Sequence, residues 1–171
     1  QTGAANAAEF FDRKAMRTVE NDFPELKELP DDASAVLVKT EASSAEELEQ
    51  KNNTLLATLR QFTLAQEATF TTDATLVGKY WAMRSGIFPA VGGTREIGTT
   101  CLIEDIAFPI EFLSEATLDL QQLFKDYNYP DAVIYGHALE GNYHFILNQR
   151  FDSKEAIEQY LKEQEEKAKE K

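Results

Sequence analysis

The sequence predicts an α+β domain: a ferredoxin-like antiparallel sheet with its helices packed on one face. Segments with apolar residues at helical spacing alternate along the chain with short runs of β-branched and aromatic residues. The order of these elements, β-α-β-α followed by β-α-β-β-α, resembles two split β-α-β units that share one sheet. A duplicated ferredoxin-like sheet fits this order, although no short repeat is visible in the sequence.

The first part of the chain is expected to contain two helices around one strand. A helix is predicted over residues 5–20, where apolar side chains recur at helical spacing. These side chains are Ala8, Phe11, Ala15 and Val19. Residues 22–34 are turn-like, and residues 35–40 have the composition of a strand. Ser44 and Glu47 fit a capping box, which predicts the start of a second helix.

The middle of the chain is expected to change element three times. Thr and Phe residues make residues 67–72 a plausible strand. Residues 73–86 have a helical pattern, and residues 88–99 are predicted to form a loop because they contain Pro89 and several glycines. A strand over residues 100–107 follows.

The last part of the chain is expected to begin and end in helices. Pro109 is predicted to open a helix that ends near Asp126, since the first turn of a helix tolerates proline. A final helix starts at Asp152. The Lys- and Glu-rich run over residues 162–171 is expected to be a solvated helix face or a fraying tail.

A hairpin between these helices carries both histidines of the chain. Residues 132–137 and 142–148 have strand composition, and the short link between them predicts a hairpin. His137 and His144 flank the turn, so their imidazoles could bind one metal or one substrate. The histidines could equally coincide by chance, because two ligands are too few for a zinc site. The polar residues between them are Glu140 and Asn142.

Composition narrows the range of partners. The chain has 171 residues, 43% of them hydrophobic, which fits one globular domain. The net charge of -13 disfavours nucleic acid and anionic membranes as partners. Cys101 is the single cysteine, which fits a reducing, cytoplasmic setting, and no apolar run approaches the length of a transmembrane helix. Because the sequence lacks an initiator Met, we expect it to be part of a longer protein.

The segment from Gly136 to His144, Gly-His-x-x-Glu-Gly-Asn-x-His, resembles a motif of the FAD-linked oxidase C-terminal domain. That domain belongs to the vanillyl-alcohol-oxidase-like flavoproteins, which include D-lactate, glycolate and D-2-hydroxyglutarate dehydrogenases. Residues 79–92, residues 103–109 and the Phe-Asp-Arg of residues 11–13 are similar to the same family, so the resemblance covers essentially the whole chain. The Ala-Leu-Glu within the motif is similar to large bacterial members that carry FAD and iron–sulfur segments on one polypeptide.

The resemblance implies roles for individual residues. His137 and His144 match the two histidines that bind zinc or another divalent metal, and they are the expected catalytic and metal-ligating residues. Arg84 matches an arginine that holds the substrate carboxylate, as the fork of a guanidinium allows; a surface salt bridge is the alternative. The remaining candidates are Asn142 for substrate binding and, in second rank, Glu140 and Asp105, the last of which could be structural.

The chain also departs from the family pattern. Glu104 stands where hydroxyglutarate-type members have a lysine, and Ile146 stands where they have an asparagine. Both changes remove polar groups that could contact a second carboxylate. The family places a flavin-binding domain before this domain, and after it a Glu-His-Gly segment with the third metal ligand and a base. We expect both to lie outside residues 1–171.

The function implied by the resemblance is FAD-dependent oxidation of a lactate- or hydroxyglutarate-like 2-hydroxy acid to the 2-oxo acid. The chain would cap the flavin domain of the same polypeptide and build the substrate pocket, with peripheral attachment of the whole enzyme to the inner membrane left open. The isolated chain is expected to be inactive. Two alternatives stay open: a non-catalytic ferredoxin-like ligand-binding or assembly module, and a relative that oxidises alcohols or aldehydes. Imidazoles that converge near Arg84 would favour the catalytic interpretation.

Overall fold

The computed structural model describes residues 3–169 of the chain. This part contains five strands and five α-helices. In chain order they are β1 (Ala7–Phe11), α1 (Arg13–Val19), β2 (Ala35–Lys39), α2 (Ala45–Leu59), α3 (Ala74–Thr94), β3 (Thr99–Ala107), α4 (Leu113–Asp126), β4 (Val133–His137), β5 (Asn142–Arg150) and α5 (Lys154–Lys169). None of the helices in this part combines the length and the apolar composition that a membrane crossing requires.

The strands form one antiparallel sheet in the order β2-β1-β4-β5-β3. Within this sheet, β3, α4, β4, β5 and α5 follow the order of the first five elements of a ferredoxin-like unit. Strand β5 lies between β3 and β4, as that unit requires. The predicted α+β class and antiparallel sheet are therefore confirmed.

The helices divide between the two faces of the sheet, which corrects the expectation that they pack on one face. One core lies under α1 and α3 and includes Ile87 and Val133. The other lies under α4 and includes Phe124, Ile134 and Phe145. Neighbouring residues of β4 are both buried because successive side chains of a strand point to opposite faces, and each face here meets apolar helices.

The first predicted helix is wrong in its first half. The structure has strand β1 there, paired on one side with β2 and on the other with β4. Helix α1 begins only after Asp12, whose carboxylate accepts a hydrogen bond of 2.7 Å from the backbone N–H of Ala15. So short a segment fits both the helical and the strand period, and pairing with two neighbouring strands decides between them.

The helix predicted to end near residue 86 instead continues to Thr94, through the segment expected to be a loop. Proline normally ends a helix because it lacks a donor and crowds the preceding turn. Here Met83, Ile87 and Val91 are all buried, at intervals of about one helical turn on either side of Pro89. Packing of this stripe against the sheet outweighs the local cost of the proline.

Two further expectations are corrected in the middle of the chain. Residues 67–72 do not form a strand; they line a cavity of about 510 Å³ together with β2 and α3. After Pro109 the chain makes a short 3-10 turn, Ile110–Phe112, so α4 begins at Leu113, later than expected. The predicted end of this helix at Asp126 is confirmed.

The hairpin and the last helix are confirmed with one change. Strands β4 and β5 pair directly, and α5 follows them. Glu163 and Lys167 of α5 are buried and form an ion pair of 2.6 Å, with the lysine 4.7 Å from the ring of Phe145. The Lys- and Glu-rich run is thus not a fully solvated face where it is described; residues 170–171 lie outside the described part.

Candidate functional site

The β4–β5 hairpin depends on two glycines with left-handed backbone. Gly136 has φ +147°, and a β-carbon there would lie 2.9 Å from the carbonyl oxygen of Asn142. Gly141 has φ +71°, and a β-carbon there would collide with the carbonyl oxygen of Phe108. Only glycine fits without moving a neighbouring backbone. The hairpin therefore holds the strand ends that carry the two histidines in tight register.

His144 is aligned with partners on both neighbouring strands. Its register partners are Asp105 on β3 and Tyr135 on β4, and directly opposed residues of antiparallel strands share a face. The Nδ1 atom of His144 hydrogen-bonds to the Asp105 carboxylate, and its ring centroid lies 5.3 Å from that of Tyr135. The Asp105 side chain is 66% exposed and that of His144 is 19% exposed, so this pair marks the boundary with solvent.

His137 is held by a buried carboxylate on the neighbouring strand β1. Its Nδ1 lies 2.6 Å from Oε1 of Glu9, its register partner. The other oxygen of Glu9 accepts a hydrogen bond of 3.1 Å from Nε of Arg84 on α3. The guanidinium of Arg84 also lies over the ring of Tyr135, at 5.8 Å. One carboxylate thus joins the predicted carboxylate-binding arginine to a predicted catalytic histidine.

The two imidazoles meet on the face of the sheet that packs against α3. Their ring centroids are 5.3 Å apart and the rings are nearly perpendicular. Because each Nδ1 is engaged by a carboxylate, Nε2 is the nitrogen that each ring leaves for a ligand. Burial raises the pKa of the neighbouring Tyr135 hydroxyl, which therefore stays protonated and able to donate at neutral pH.

The other two predicted site residues, Asn142 and Glu140, lie near the histidines but make different contacts. Asn142 lies opposite His137 in the sheet, and its side-chain amide donates to the carbonyl oxygen of Ile106 at 3.4 Å. Glu140 lies in the exposed turn, where its backbone N–H donates to the carbonyl oxygen of His137 at 3.2 Å. Among the described residues the Glu140 side chain has no hydrogen bond or ion pair. The roles proposed for both residues stay predictions.

The two departures from the family pattern lie on opposite faces of the sheet. Glu104 lies opposite Phe145 and points to the α4 side of the sheet, where the hydroxyl of Tyr160 donates to it at 3.4 Å. Ile146 is fully buried in the core under α1 and α3. Glu104 therefore points away from the two histidines, whereas Ile146 lies on the same face of the sheet as His144, beneath the surface.

Glu9 and Tyr135 complete a cluster with Arg84, Asp105, His137 and His144, and the sequence interpretation missed both. Glu9 falls in the segment predicted as helix, where its contacts with β4 could not be foreseen. The available signal was an acidic residue inside the apolar run Ala-Ala-Glu-Phe-Phe, since a buried charge in such a run requires a partner. Tyr135 gives no signal of its own, because an aromatic residue in a strand is ordinary core composition.

The cluster fits half of a metal site. Metal-binding histidines usually donate their second ring N–H to a carboxylate or carbonyl, which is the arrangement of both imidazoles here. Catalytic zinc takes three protein ligands, and within residues 3–169 no group of three His, Cys, Asp or Glu side chains is placed to hold a metal. For FAD, the described residues offer no glycine-rich phosphate loop: Gly92 and Gly93 lie inside α3.

Comparison with known proteins agrees with the resemblance. Residues 2–170 match the family described as FAD linked oxidases, C-terminal domain. The mitochondrial D-2-hydroxyglutarate dehydrogenase of Danio rerio is 27% identical over 161 residues, which cover 92% of this chain and 29% of the relative. The rat (Rattus norvegicus) protein of the same name is 27% identical over 159 residues, which cover 91% of this chain and 29% of the relative. The chain thus spans less than a third of the length of these relatives.

Proposed function

The chain belongs to the family of C-terminal domains of FAD linked oxidases, and from that premise we propose that it is the substrate-binding domain of an enzyme that oxidises a 2-hydroxy acid to the 2-oxo acid. The observation that carries the proposal is the convergence of Arg84, His137 and His144 on one face of the sheet. A 2-hydroxy acid presents a carboxylate beside a hydroxyl. The cluster presents a cation beside two nitrogen acceptors.

Arg84 is proposed to bind the substrate carboxylate. Glu9 occupies its Nε–H, so the two Nη atoms remain for a bidentate contact with a carboxylate. The arginine side chain is 25% exposed, so it is reachable by a ligand and still partly shielded from water. Partial shielding strengthens a charge-assisted hydrogen bond.

His137 and His144 are proposed to bind the substrate hydroxyl. With Nδ1 donating to a carboxylate, a neutral imidazole has its lone pair on Nε2, which accepts the hydrogen bond of the hydroxyl and orients it for proton loss. A divalent metal held by the same two Nε2 atoms would polarise that hydroxyl as a Lewis acid. Such a metal needs a further ligand from outside the described residues.

FAD would be held by another part of the enzyme and would supply the hydride acceptor for oxidation of the hydroxyl-bearing carbon. The contribution of this chain is to hold that carbon still, through the carboxylate on one side and the hydroxyl on the other. An iron–sulfur segment elsewhere in the polypeptide stays a prediction. Among 2-hydroxy acids, the names of the relatives favour a hydroxyglutarate-like substrate over a lactate-like one.

Substitution of Arg84 tests the proposal in the FAD-bound enzyme that contains this chain. Arg84→Lys keeps the charge but removes the planar fork. Hydrogen bonds to charged groups are worth about 1.5–3 kcal/mol, so we expect KM for the 2-hydroxy acid to rise about 10- to 150-fold. The measurement is steady-state turnover with a dye as electron acceptor.

Arg95→Lys serves as the matched control. Arg95 follows the last turn of α3 and is exposed, and its guanidinium donates to the backbone carbonyls of Gly92 and Thr99, away from the two histidines. We expect its KM to equal that of the unmodified enzyme. Equal KM values for the Arg84 and Arg95 variants would contradict the role of Arg84.

A further inference from the structure

Glu9 is a buried acid on an inner strand of the sheet. Its residue is 4% exposed, and it stands in the middle of β1 between β2 and β4. Acidic side chains are almost never fully buried unless they are paired. Both Glu9 oxygens are used: Oε1 meets Nδ1 of His137 at 2.6 Å, and Oε2 meets Nε of Arg84 at 3.1 Å.

The first contact determines the tautomer of His137, and the second determines which guanidinium atoms of Arg84 remain available to a ligand. A carboxylate paired with a guanidinium only accepts hydrogen bonds, so the Nδ1 atom of His137 must donate. In the neutral imidazole the lone pair is then on Nε2. At Arg84 the same carboxylate takes the Nε–H and leaves the two Nη atoms free to turn toward a ligand.

The position of Glu9 separates this role from that of an ordinary ion pair. The carboxylate lies beneath the site, while the His137 side chain is 39% exposed and that of Arg84 is 25% exposed. The buried group therefore determines how two partly exposed groups face solvent. Asp105 makes the corresponding contact with His144, but its side chain is 66% exposed and it has no second partner among the described residues.

We propose that Glu9 is a positioning residue of the site, which sets the His137 tautomer with its lone pair on Nε2 and orients Arg84 for end-on binding of a carboxylate. This inference rests on the proposed function for its purpose, though not for its geometry. It predicts that Glu9 contacts no substrate and acts only through the two residues that it holds.

Glu9→Gln tests the proposal with a side chain of the same size. Arg84 can only donate, so the Gln carbonyl oxygen must face it and the Gln NH₂ must face His137. Nδ1 of His137 then becomes an acceptor, and the proton moves to Nε2. The tautomer of each histidine is read from the ¹⁵N shifts and long-range proton couplings of its ring in this chain, at alkaline pH where imidazoles are neutral.

Two controls show whether a change of tautomer at His137 is due to Glu9: the second histidine, His144, and a variant of another buried acid, Asp12. In the Glu9→Gln variant His144 keeps its proton on Nδ1, because Asp105 is unchanged. In Asp12→Asn, which replaces another buried acid near the same strand, both histidines keep the unmodified pattern. A switch of His137 alone supports the proposal. No switch, or a switch of both histidines, overturns it.

Turnover in the FAD-bound enzyme provides the second readout. Loss of the carboxylate that holds a metal-binding histidine typically lowers activity about 10- to 100-fold, so we expect kcat/KM of Glu9→Gln to fall in that range while Asp12→Asn stays near the unmodified value. Unchanged turnover of Glu9→Gln would overturn the positioning role. If the unmodified enzyme oxidises no 2-hydroxy acid, the proposed function fails, and the His137 tautomer alone then decides the role of Glu9.

Discussion

At the scale of single residues, the sequence identifies the groups that carry chemistry better than the groups that hold them. The pattern from Gly136 to His144 and the resemblance of the helix around Arg84 predict side chains that the structure places on one face. Glu9 was not predictable in the same way. Its partners are Arg84 and His137, far away in sequence, and they become neighbours only when β1 pairs with β4.

Asp12 is a residue whose charge opposes folding at neutral pH. Burial raises its pKa to about 6 from the ordinary 3.8, although hydrogen bonds from the backbone of Ala15 and Ile134 act in the opposite direction. The folded state therefore holds the Asp12 proton more tightly than the unfolded chain does. Its contribution to the free energy of unfolding falls as pH rises from about 4 to about 6, by up to about 3 kcal/mol.

Asp12→Asn removes this dependence and keeps an oxygen that can accept from the N–H of Ala15. We expect the stability of the variant relative to the unmodified chain to increase between pH 4 and pH 7, by as much as about 3 kcal/mol. Urea unfolding at several pH values across this window measures the difference. A difference that does not change with pH would contradict the assignment of a raised pKa to Asp12.

At the scale of elements, the hairpin and the first part of α3 were predictable, whereas strand β1 and the continuation of α3 beyond residue 86 were not. Strands β4 and β5 are indicated by their composition and by the short glycine-containing link between them. Helix α3 contains Pro89 and four glycines, which locally favour a loop, yet its buried stripe of Met83, Ile87 and Val91 keeps it helical. Tertiary packing, which the sequence alone does not display, decided in favour of the helix.

Gly141→Ala tests how strictly the hairpin geometry is required. A β-carbon at Gly141 would meet the carbonyl oxygen of Phe108, and φ there is +71°. We expect the free energy of unfolding to fall by about 1–3 kcal/mol, the usual cost of a non-glycine residue in strained backbone. Gly78→Ala, in α3 with open space around it, is the matched control. That change should leave stability equal or raise it by about 0.5–1 kcal/mol, and a Gly141 variant as stable as the control would contradict the prediction.

At the scale of the whole molecule, the class of the fold follows from the sequence but its layering does not. The alternation of helical and strand patterns predicts an α+β sheet, and the structure confirms it. Which face each helix covers depends on the order of strands in the sheet, and β1 joins that sheet through long-range pairings with β2 and β4. Since β1 was not foreseen, the division of helices between two faces could not be foreseen either.

The packing of helices on both faces of the sheet also explains where the candidate site lies. The α4 side is a core of large apolar side chains. The α3 side combines a core with a polar margin, at which the cluster around Arg84 and the two histidines reaches solvent. Under the proposed function, this surface cluster would form one wall of the substrate pocket. We expect the flavin-binding part of the enzyme to supply the other wall.

The central claim is that this chain binds a 2-hydroxy acid for oxidation by FAD. The most direct test is anaerobic reduction of FAD in the enzyme that contains this chain, measured as the loss of flavin absorbance. D-2-Hydroxyglutarate, with D-lactate as the second substrate, is predicted to bleach the flavin. Propylene glycol, which resembles lactate but lacks the carboxylate that Arg84 is proposed to bind, is predicted to leave the flavin oxidised. A flavin that no 2-hydroxy acid reduces, or that the glycol reduces equally well, would contradict the claim.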